Sequence, residues 1–323
     1  MPIGVLHNPL SGRNKRQPLL FQAVYTRHPG VQHSEVTTPA DILKALGTFA
    51  QNQVNLVLVN GGDGTIQATV DALFNYRLFS EMPLLAVIPG GTANLIAGDV
   101  GLGKYEEATL NRLLSWMTSS DPSIDFVNRS ILRIRRPSYQ RPIHGMFFGA
   151  GAIYHGTQLG RETKQTIGRL GEWGAGLILV KFLLALATGS RKGLQPVTVG
   201  VSTGESTIKH EEYLVLLVTT LERLFLGMKP FWSSTSGPLR FTSVKVPYRY
   251  LWRVLPTLLR GKSHPLATTD HGYVSENLSE IRLVLNSGFV LDGEVHLPPR
   301  SEEPLILELA GELSFARLSS GAQ

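Results

Sequence analysis

Gly61-Gly62-Asp63-Gly64-Thr65 follows the apolar run Asn55–Val59 after one residue, Asn60, and precedes a helical pattern, Ile66–Phe74. A buried strand, a glycine-rich turn and a helix N-terminus together form a common anion site, because backbone N–H groups and the positive end of the helix dipole face the ligand. Glycines also let phosphate oxygens approach the main chain, since they carry no Cβ atom. The stretch therefore predicts a phosphate-binding turn at the end of a strand.

A second turn of the same kind lies downstream. The run Leu84–Ile88 leads into Pro89-Gly90-Gly91-Thr92-Ala93-Asn94, and another helical pattern follows. Two such turns after buried strands indicate a crevice at the carboxyl ends of a parallel sheet that holds a polyphosphate. Helix capping is the alternative for Thr92, because a cap and a phosphate site need the same geometry.

Asp63 places a carboxylate within the first turn. A carboxylate repels bare phosphate, so it suits this position if Mg²⁺ lies between the two, or if it accepts a proton from an attacking hydroxyl. The alternative is a turn or N-cap aspartate, which is the commonest use of Asp beside Gly. The first turn alone leaves both interpretations open, and the second turn favours a functional one.

Four short motifs occur in one order along the chain: Asn8-Pro9-Leu10-Ser11-Gly12, the two glycine turns, and Asp292-Gly293-Glu294. Together they resemble the diacylglycerol kinase catalytic-domain family, which includes bacterial lipid kinases and the sphingosine and ceramide kinases. The resemblance spans nearly the whole chain. It implies a lipid kinase that uses ATP and Mg²⁺ and transfers the γ-phosphate to a hydroxyl of a diacylglycerol-like or sphingoid lipid.

The same resemblance implies roles for individual residues. Glu294 would accept the proton of the lipid hydroxyl, and Asp63 would be the second catalytic carboxylate. ATP contacts are expected from Asn8, Ser11, Gly12, Thr37, Gly61, Gly62, Gly64, Thr65, Gly91, Thr92 and Asn94. Thr38 competes with Thr37 for the contact after the second strand, and an N-cap role is open for either. A hairpin turn is the alternative for Asp292-Gly293, as for other Asp-Gly pairs.

Two departures from the family pattern bear on metal binding and activity. The family carries an aspartate-rich loop that holds a structural magnesium, and the equivalent stretch here is Ser233–Phe241, with Ser236 and Arg240 at the changed positions. Hard cations need oxygen ligands, preferably anionic ones, so no protein ligand to a metal is predicted. Leu95 also stands where the family has an aspartate after Asn94.

The two parts of the chain differ in their pattern of predicted secondary structure. Residues 1–125 alternate β-type runs with helical patterns, whereas residues 126–323 are β-rich runs separated by turns. This pattern predicts an α/β protein with an N-terminal, doubly wound parallel-sheet domain that binds nucleotide, followed by a C-terminal antiparallel β-sandwich domain for the lipid. A length of 323 residues agrees with two domains.

Charge and hydropathy bear on partners and location. The net charge of +6 favours anionic partners, but no long basic run supports nucleic acid, so we expect a nucleotide and an anionic membrane surface. The most apolar stretch, Trp173–Gly189, is short for a span and contains Lys181, and the N-terminus indicates a strand rather than a signal peptide. We expect a cytoplasmic protein, peripheral at the membrane, with a homodimer as one open oligomeric state.

Two other functions stay open. NAD kinases share the Gly-Gly-Asp-Gly-Thr turn, although the second turn here has the lipid-kinase form. A nucleotide-binding regulatory protein without turnover is the other, because carboxylates are missing at Ser236 and Arg240.

Overall fold

The computed structural model describes residues 2–18, 30–118, 124–158, 195–204, 206–298 and 303–318. The chain forms two compact units, Met1–Arg129 with Glu312–Gln323, and Ser130–Gly311. The apolar stretch Trp173–Gly189 lies outside the described residues. Within them, no helix combines the length and the apolar character needed to cross a bilayer.

A parallel sheet is the centre of the first unit. Its strands are β1 (Ile3–His7), β2 (Val31–Glu35), β3 (Leu56–Gly61) and β4 (Leu84–Pro89), in the order β4-β3-β1-β2. Strands β3 and β4 are buried along almost their whole length, which is why their sequences are continuous apolar runs. The last strand of the chain, β15 (Leu305–Leu318), ends in this sheet, where Phe315 pairs in parallel with Leu85 of β4.

Among the described residues of this unit, the helices that accompany these strands are α1 (Gly12–Arg16), α2 (Pro39–Gln51), α3 (Asp63–Tyr76), α4 (Leu95–Val100) and α5 (Glu107–Thr118). Residues of α5 and of the loop after α4 pack against the sheet, in a core that includes Leu58, Ile88, Leu102 and Leu110. The carboxyl ends of β1, β3 and β4 lead into α1, α3 and the turn before α4, so these segments lie at one edge of the sheet.

The second unit is built from antiparallel strands. They are β5 (Ile124–Arg135, shared with the first unit), β6 (Ile143–Gly145), β7 (Phe147–Gly151), β8 (Val197–Thr203), β9 (Lys209–Thr219), β10 (Leu239–Lys245), β11 (Tyr273–Leu278), β12 (Glu280–Leu285), β13 (Phe289–Leu291) and β14 (Glu294–His296). Strand β9 pairs with β10 along one side, and with β7 and β8 along the other. Their inward side chains form one apolar core, which includes Phe148, Tyr213 and Leu283. Helix α6 (152–158) follows β7, and α7 (Leu251–Leu258) follows β10.

The predicted fold class is confirmed, since the strands are parallel in the N-terminal part and antiparallel in the C-terminal part. The predicted division at residue 125 placed all later residues in the second domain, whereas Glu312–Gln323 belong to the first unit. Strand β15 begins beside β12 in the second unit and ends beside β4 in the first. The sequence of a strand does not reveal which distant strand it joins, so this return had no local signal.

Candidate functional site

Three turns of the first unit lie against one another. The Asn8 side chain donates a hydrogen bond from Nδ2 to Thr65 Oγ1 at 2.9 Å, which joins the first turn to the glycine-rich one. The Gly62 N–H donates to Ser11 Oγ at 3.1 Å and strengthens the same junction. The structure therefore brings together residues that the sequence placed about 50 positions apart.

The close approach of the turns explains their glycines. A Cβ atom built on Gly91 would lie 2.5 Å from the Gly62 Cα atom and 2.8 Å from Asn94 Oδ1. A Cβ atom on Gly12 would collide with Thr92 Oγ1. These glycines are needed for the turns to pack, whether or not a ligand is bound.

Asn14 holds the turns in place and was not predicted from the sequence. It is buried, and its Nδ2 atom donates to Asn8 O at 2.7 Å and to Asn60 O at 3.1 Å. Its Oδ1 atom accepts a hydrogen bond from the Tyr105 hydroxyl at 2.7 Å. The sequence gives little signal for this role, because an asparagine in a polar segment is normally exposed.

Two backbone N–H groups of the glycine turns donate to side-chain oxygens. The Gly62 N–H has Ser11 Oγ as its acceptor, and the Gly91 N–H has Asn94 Oδ1 at 2.9 Å. Asn94 Nδ2 donates back to Gly91 O at 3.1 Å, and Asn94 has φ of 51°, a left-handed conformation that asparagine tolerates. The two side-chain oxygens thus take the acceptor positions that anion oxygens would fill at such N–H groups.

The carboxylate of Asp63 joins two helices. Asp63 is the first residue of α3, and it accepts hydrogen bonds from the first two N–H groups of α4, those of Leu95 at 3.0 Å and Ile96 at 2.9 Å. Although the residue as a whole is only partly buried, desolvation of its carboxyl group raises the pKa of Asp63 to about 6, and the backbone hydrogen bonds offset part of the rise. Asp63 therefore caps a helix, as the alternative interpretation proposed, but the helix that it caps is α4 and not its own helix, α3.

We expect Asp63→Asn to fold with a stability near that of the parent at pH 7, because two effects oppose each other. Asparagine removes the charge that burial disfavours, but it offers one carbonyl oxygen to two N–H groups, and an unsatisfied buried donor costs about 1–3 kcal/mol. Because the folded pKa of about 6 exceeds the ordinary value of 3.8, the parent loses stability as pH rises from 3.8 to about 6. Urea titrations at several pH values should show this loss of unfolding free energy in the parent and not in the variant.

Turnover separates the structural role of Asp63 from a catalytic one. If Asp63 also engages the metal or the reacting groups, the folded Asp63→Asn variant should lose turnover by at least ~10²-fold. Asp125→Asn removes the same charge at an exposed position of β5 and is the matched control. A folded variant with near-normal turnover would leave Asp63 with the capping role alone.

Asp292 and Gly293 form the two-residue turn of the β13–β14 hairpin. Leu291 pairs with Glu294 across it, and φ is 49° at Asp292 and 87° at Gly293, as in a type I′ turn. The buried Asp292 carboxylate accepts hydrogen bonds from the Met146 and Phe147 N–H groups, at 2.8–3.1 Å. This anchors the hairpin to β7 and leaves Glu294 exposed as the first residue of β14.

Thr37 and Thr38 both contact Asp41. Thr38 is the N-cap of α2, and its hydroxyl accepts a hydrogen bond from the Asp41 N–H at 3.2 Å, while the Asp41 carboxylate accepts one from the Thr38 N–H at 2.9 Å. Hydrogen bonds from the two threonines hold the pKa of Asp41 at about 2, well below its usual range. The Thr37 N–H and hydroxyl also donate to the Asp41 carboxylate, each at 3.0 Å. Both threonines therefore contact the start of the helix, and the nucleotide contact at Thr37 stays a prediction.

Comparison with known proteins bears on what these turns do. Residues 2–121 match the sequence profile of the diacylglycerol kinase catalytic domain. The predicted resemblance is confirmed. No curated protein matches the chain.

Solved structures of similar fold include two from Bacillus anthracis str. Sterne. One, a candidate diacylglycerol kinase, has 17% identity and a TM-score of 0.64, and the other, named as a diacylglycerol kinase, has 16% and 0.57. Each alignment covers 99% of this chain and 97% of the other. Yeast NADH kinase, solved with NADH, has 10% identity and a TM-score of 0.52, over 99% and 84% of the two chains. At these identities the likeness shows a shared fold.

Positive charge accompanies the first turn, within the part of the chain that matches the diacylglycerol kinase catalytic-domain profile. Helix α1 carries Arg13, Lys15 and Arg16 within five residues and no acidic residue. The Arg13 guanidinium lies 5.7 Å from the centre of the Tyr105 ring, and burial, followed by the charge of Arg16, lowers the pKa of Arg13. Such a cluster stabilises a ligand with several negative charges beside the turns.

The described residues contain no group of three or more His, Cys, Asp or Glu side chains that could hold a metal ion. Proteins commonly bind Mg²⁺ through one or two carboxylates, with substrate phosphates and water as the other ligands. Asp63 is the carboxylate of these turns, and its two oxygens already accept the Leu95 and Ile96 N–H groups. A Mg²⁺ ion that arrives with a polyphosphate would therefore be held mainly by phosphate oxygens and water.

Arg240 belongs to the stretch that we likened to the family's aspartate-rich loop, and its side chain donates to backbone carbonyl oxygens. Its Nη1 atom donates to Thr220 O at 3.2 Å and to Leu221 O at 2.9 Å. Its guanidinium also lies over the Phe231 ring, 5.6 Å from the centre. Arg240 therefore has a structural role, because its guanidinium binds these carbonyl oxygens of the same chain.

Proposed function

We propose that the protein is an ATP-dependent lipid kinase that phosphorylates a hydroxyl of a diacylglycerol-like or sphingoid lipid. One observation carries the proposal: three phosphate-type turns pack together in a domain that matches the diacylglycerol kinase catalytic family. The match and the fold support a kinase. The lipid acceptor, the use of ATP, and action in the cytoplasm at an anionic membrane surface belong to the proposal.

The nucleotide would bind at the packed turns. We assign its phosphates to the first turn (Asn8, Ser11 and Gly12), the glycine-rich turn (Gly61–Thr65) and the second glycine turn (Gly91, Thr92 and Asn94), with Thr37 as a further contact. The basic side chains of α1 would offset the phosphate charge. Ser11 Oγ and Asn94 Oδ1 would release the N–H groups of Gly62 and Gly91 to phosphate oxygens, so the donors are already oriented before binding. Mg²⁺, when bound with ATP, would neutralise further charge.

Glu294 would act on the lipid. In the transfer, the lipid oxygen forms a bond to the γ-phosphorus, the bond from that phosphorus to the β,γ-bridging oxygen breaks, and ADP leaves. The hydroxyl proton passes to the Glu294 carboxylate. Such a carboxylate acts mainly by positioning the hydroxyl and accepting the proton late, because phosphoryl transfer depends chiefly on alignment and charge stabilisation.

Two rival functions make different predictions. The fold likeness to yeast NADH kinase favours an NAD kinase, but that likeness is weaker than the likeness to the Bacillus anthracis proteins. Arg240, standing in place of carboxylates, favours a nucleotide-binding regulator without turnover.

A turnover assay with labelled ATP separates the three. The purified protein is incubated with Mg·ATP and diacylglycerol, sphingosine or ceramide in detergent micelles, or with NAD⁺. We expect label in one lipid product and none in NADP⁺. Label in NADP⁺ would replace the proposal with NAD kinase, and ATP binding without any product would indicate the regulator. A Gly91→Ala variant, purified in the same way, controls for contaminating kinases.

A further inference from the structure

One segment of the second unit concentrates positive charge. Residues 223–269 contain eight basic residues and no aspartate or glutamate: Arg223, Lys229, Arg240, Lys245, Arg249, Arg253, Arg260 and Lys262. These eight charges exceed the net charge of the whole chain, +6, so the rest of the chain is net negative. The net positive charge of the chain therefore comes from this segment, in which Lys245 forms an ion pair with Glu211.

Two elements of this segment form a groove. The 3-10 turn Phe225–Gly227 lies beside α7, and the Lys229 N–H donates to Leu259 O at 2.9 Å, which fastens the turn to the end of the helix. The groove between them has a volume of about 500 Å³. Met228 and Pro256 are among its apolar lining residues, and Lys229 and Arg260 bring charge to it.

Apolar side chains project beside these charges. Leu226 is 83% exposed and Trp252 is 48% exposed, whereas Leu251, Val254 and Leu258 of the same helix are buried. Trp252 and Pro256 are four residues apart and lie on the exposed face of α7, and Arg253 is exposed as well. Leu226 has φ of 55°, a conformation that costs free energy in a leucine. The fold thus holds a large apolar side chain in water.

We propose that this surface, which comprises the groove, Leu226, Trp252 and a basic rim of Lys229 and Arg260, docks the protein on an anionic phospholipid bilayer. A bilayer surface offers both partners that the surface needs, since lipid phosphates attract Lys and Arg while the headgroup–acyl boundary accepts Trp and Leu. Nucleic acid would match the charge but not the aliphatic Leu226 side chain. The inference rests on the proposed function for its purpose, because a lipid kinase meets its substrate in a membrane.

Charge reversal tests the basic rim. The variant Lys229→Glu with Arg260→Glu is compared with a control, Lys44→Glu with Lys209→Glu, which makes the same charge change at exposed sites on α2 and β9. Binding is measured by co-sedimentation with vesicles of phosphatidylcholine, with and without phosphatidylglycerol. We expect the parent to bind the anionic vesicles, less so at high salt, and the rim variant to bind at least ~10-fold more weakly. The control should lose little.

A second variant tests the apolar side chains. Leu226→Asn suits the left-handed backbone, and Trp252→Gln suits an exposed helical position, so the double variant should fold. We expect it to lose the part of vesicle binding that persists at high salt. The tryptophan fluorescence of the parent should shift to the blue on anionic vesicles, and the variant should lack the Trp252 share of that shift.

Several results would overturn the docking surface. They are equal losses in the rim variant and its control, equal binding of the parent to neutral vesicles, and vesicle binding unchanged in both groove variants. Loss of binding to a single-stranded oligonucleotide in the rim variant, with vesicle binding retained, would identify a nucleic-acid surface instead. The same proteins are also assayed with lipid in detergent micelles. A parent without lipid kinase activity but with the expected vesicle pattern would refute the proposed function and leave the docking surface intact.

Discussion

Glu294→Gln is expected to reduce the rate of phosphoryl transfer by at least ~10²-fold, while leaving the affinity for Mg·ATP close to that of the parent. Glutamine keeps the size and hydrogen-bonding capacity of the side chain but removes its negative charge and its basicity. The hairpin that carries Glu294 is anchored by Asp292 through the Met146 and Phe147 N–H groups, and the substitution leaves that anchor untouched. The assigned phosphate turns belong to the first unit, so a change at residue 294 should not disturb them.

Calorimetric titration with a non-hydrolysable ATP analogue, run beside the turnover assay, measures both quantities. Glu276→Gln is the matched control, because it makes the same change at an exposed position of β11 in the same unit. That control should turn over normally. If Glu294→Gln lost nucleotide affinity as severely as a substitution in the phosphate turns, the assignment of Glu294 to the lipid hydroxyl would be wrong.

The sequence allowed the glycine-rich turns to be predicted because their signal is local. An apolar run, two or more glycines and a helical pattern occur within about 20 residues, and the structure has a strand, a turn and a helix at those places. The start of helix α2 also has a local signal, since Pro39 and the capping pair of Thr38 and Asp41 lie there. The fold class followed from the same local patterns.

The contacts between the turns could not be predicted in this way. Asp63 was recognised as a carboxylate of interest, but its hydrogen bonds reach N–H groups 32 and 33 residues away. Asn14 is the clearest omission, because its importance comes from Asn60 O and Tyr105, which only the fold brings near. Arg240 was read as a lost metal ligand, whereas its own contacts with two carbonyl oxygens depend on how β10 pairs with β9.

Helix α7 was missed for a different reason. Pro256 lies inside it, and proline normally argues against a helix interior because it lacks an N–H group and clashes with the preceding turn. Burial of Leu251, Val254 and Leu258 stabilises the helix despite that cost. Since α7 forms one side of the proposed docking surface, this surface could not be predicted from the sequence, although its basic residues can be read there.

Gly91→Ala is expected to weaken nucleotide binding by at least ~10-fold and to destabilise the first unit by about 1–3 kcal/mol, the usual cost of overpacking. The added Cβ atom would lie 2.5 Å from the Gly62 Cα atom, so one of the two turns must move. Backbone cannot give way as a flexible side chain can. The displaced N–H groups would no longer be aligned for phosphate oxygens, and alignment is what these turns supply.

Gly98→Ala is the matched control for this prediction. Gly98 lies in α4, seven residues along the chain, is exposed, and a Cβ atom there meets nothing within 4 Å. Alanine should raise the stability of that helix by up to about 1 kcal/mol and leave nucleotide binding unchanged. Urea titration and calorimetry with the ATP analogue measure both effects. If Gly91→Ala bound the analogue as tightly as Gly98→Ala does, close packing of the two glycine turns would not be what orients the phosphates, and the nucleotide assignment would have to move elsewhere in the first unit.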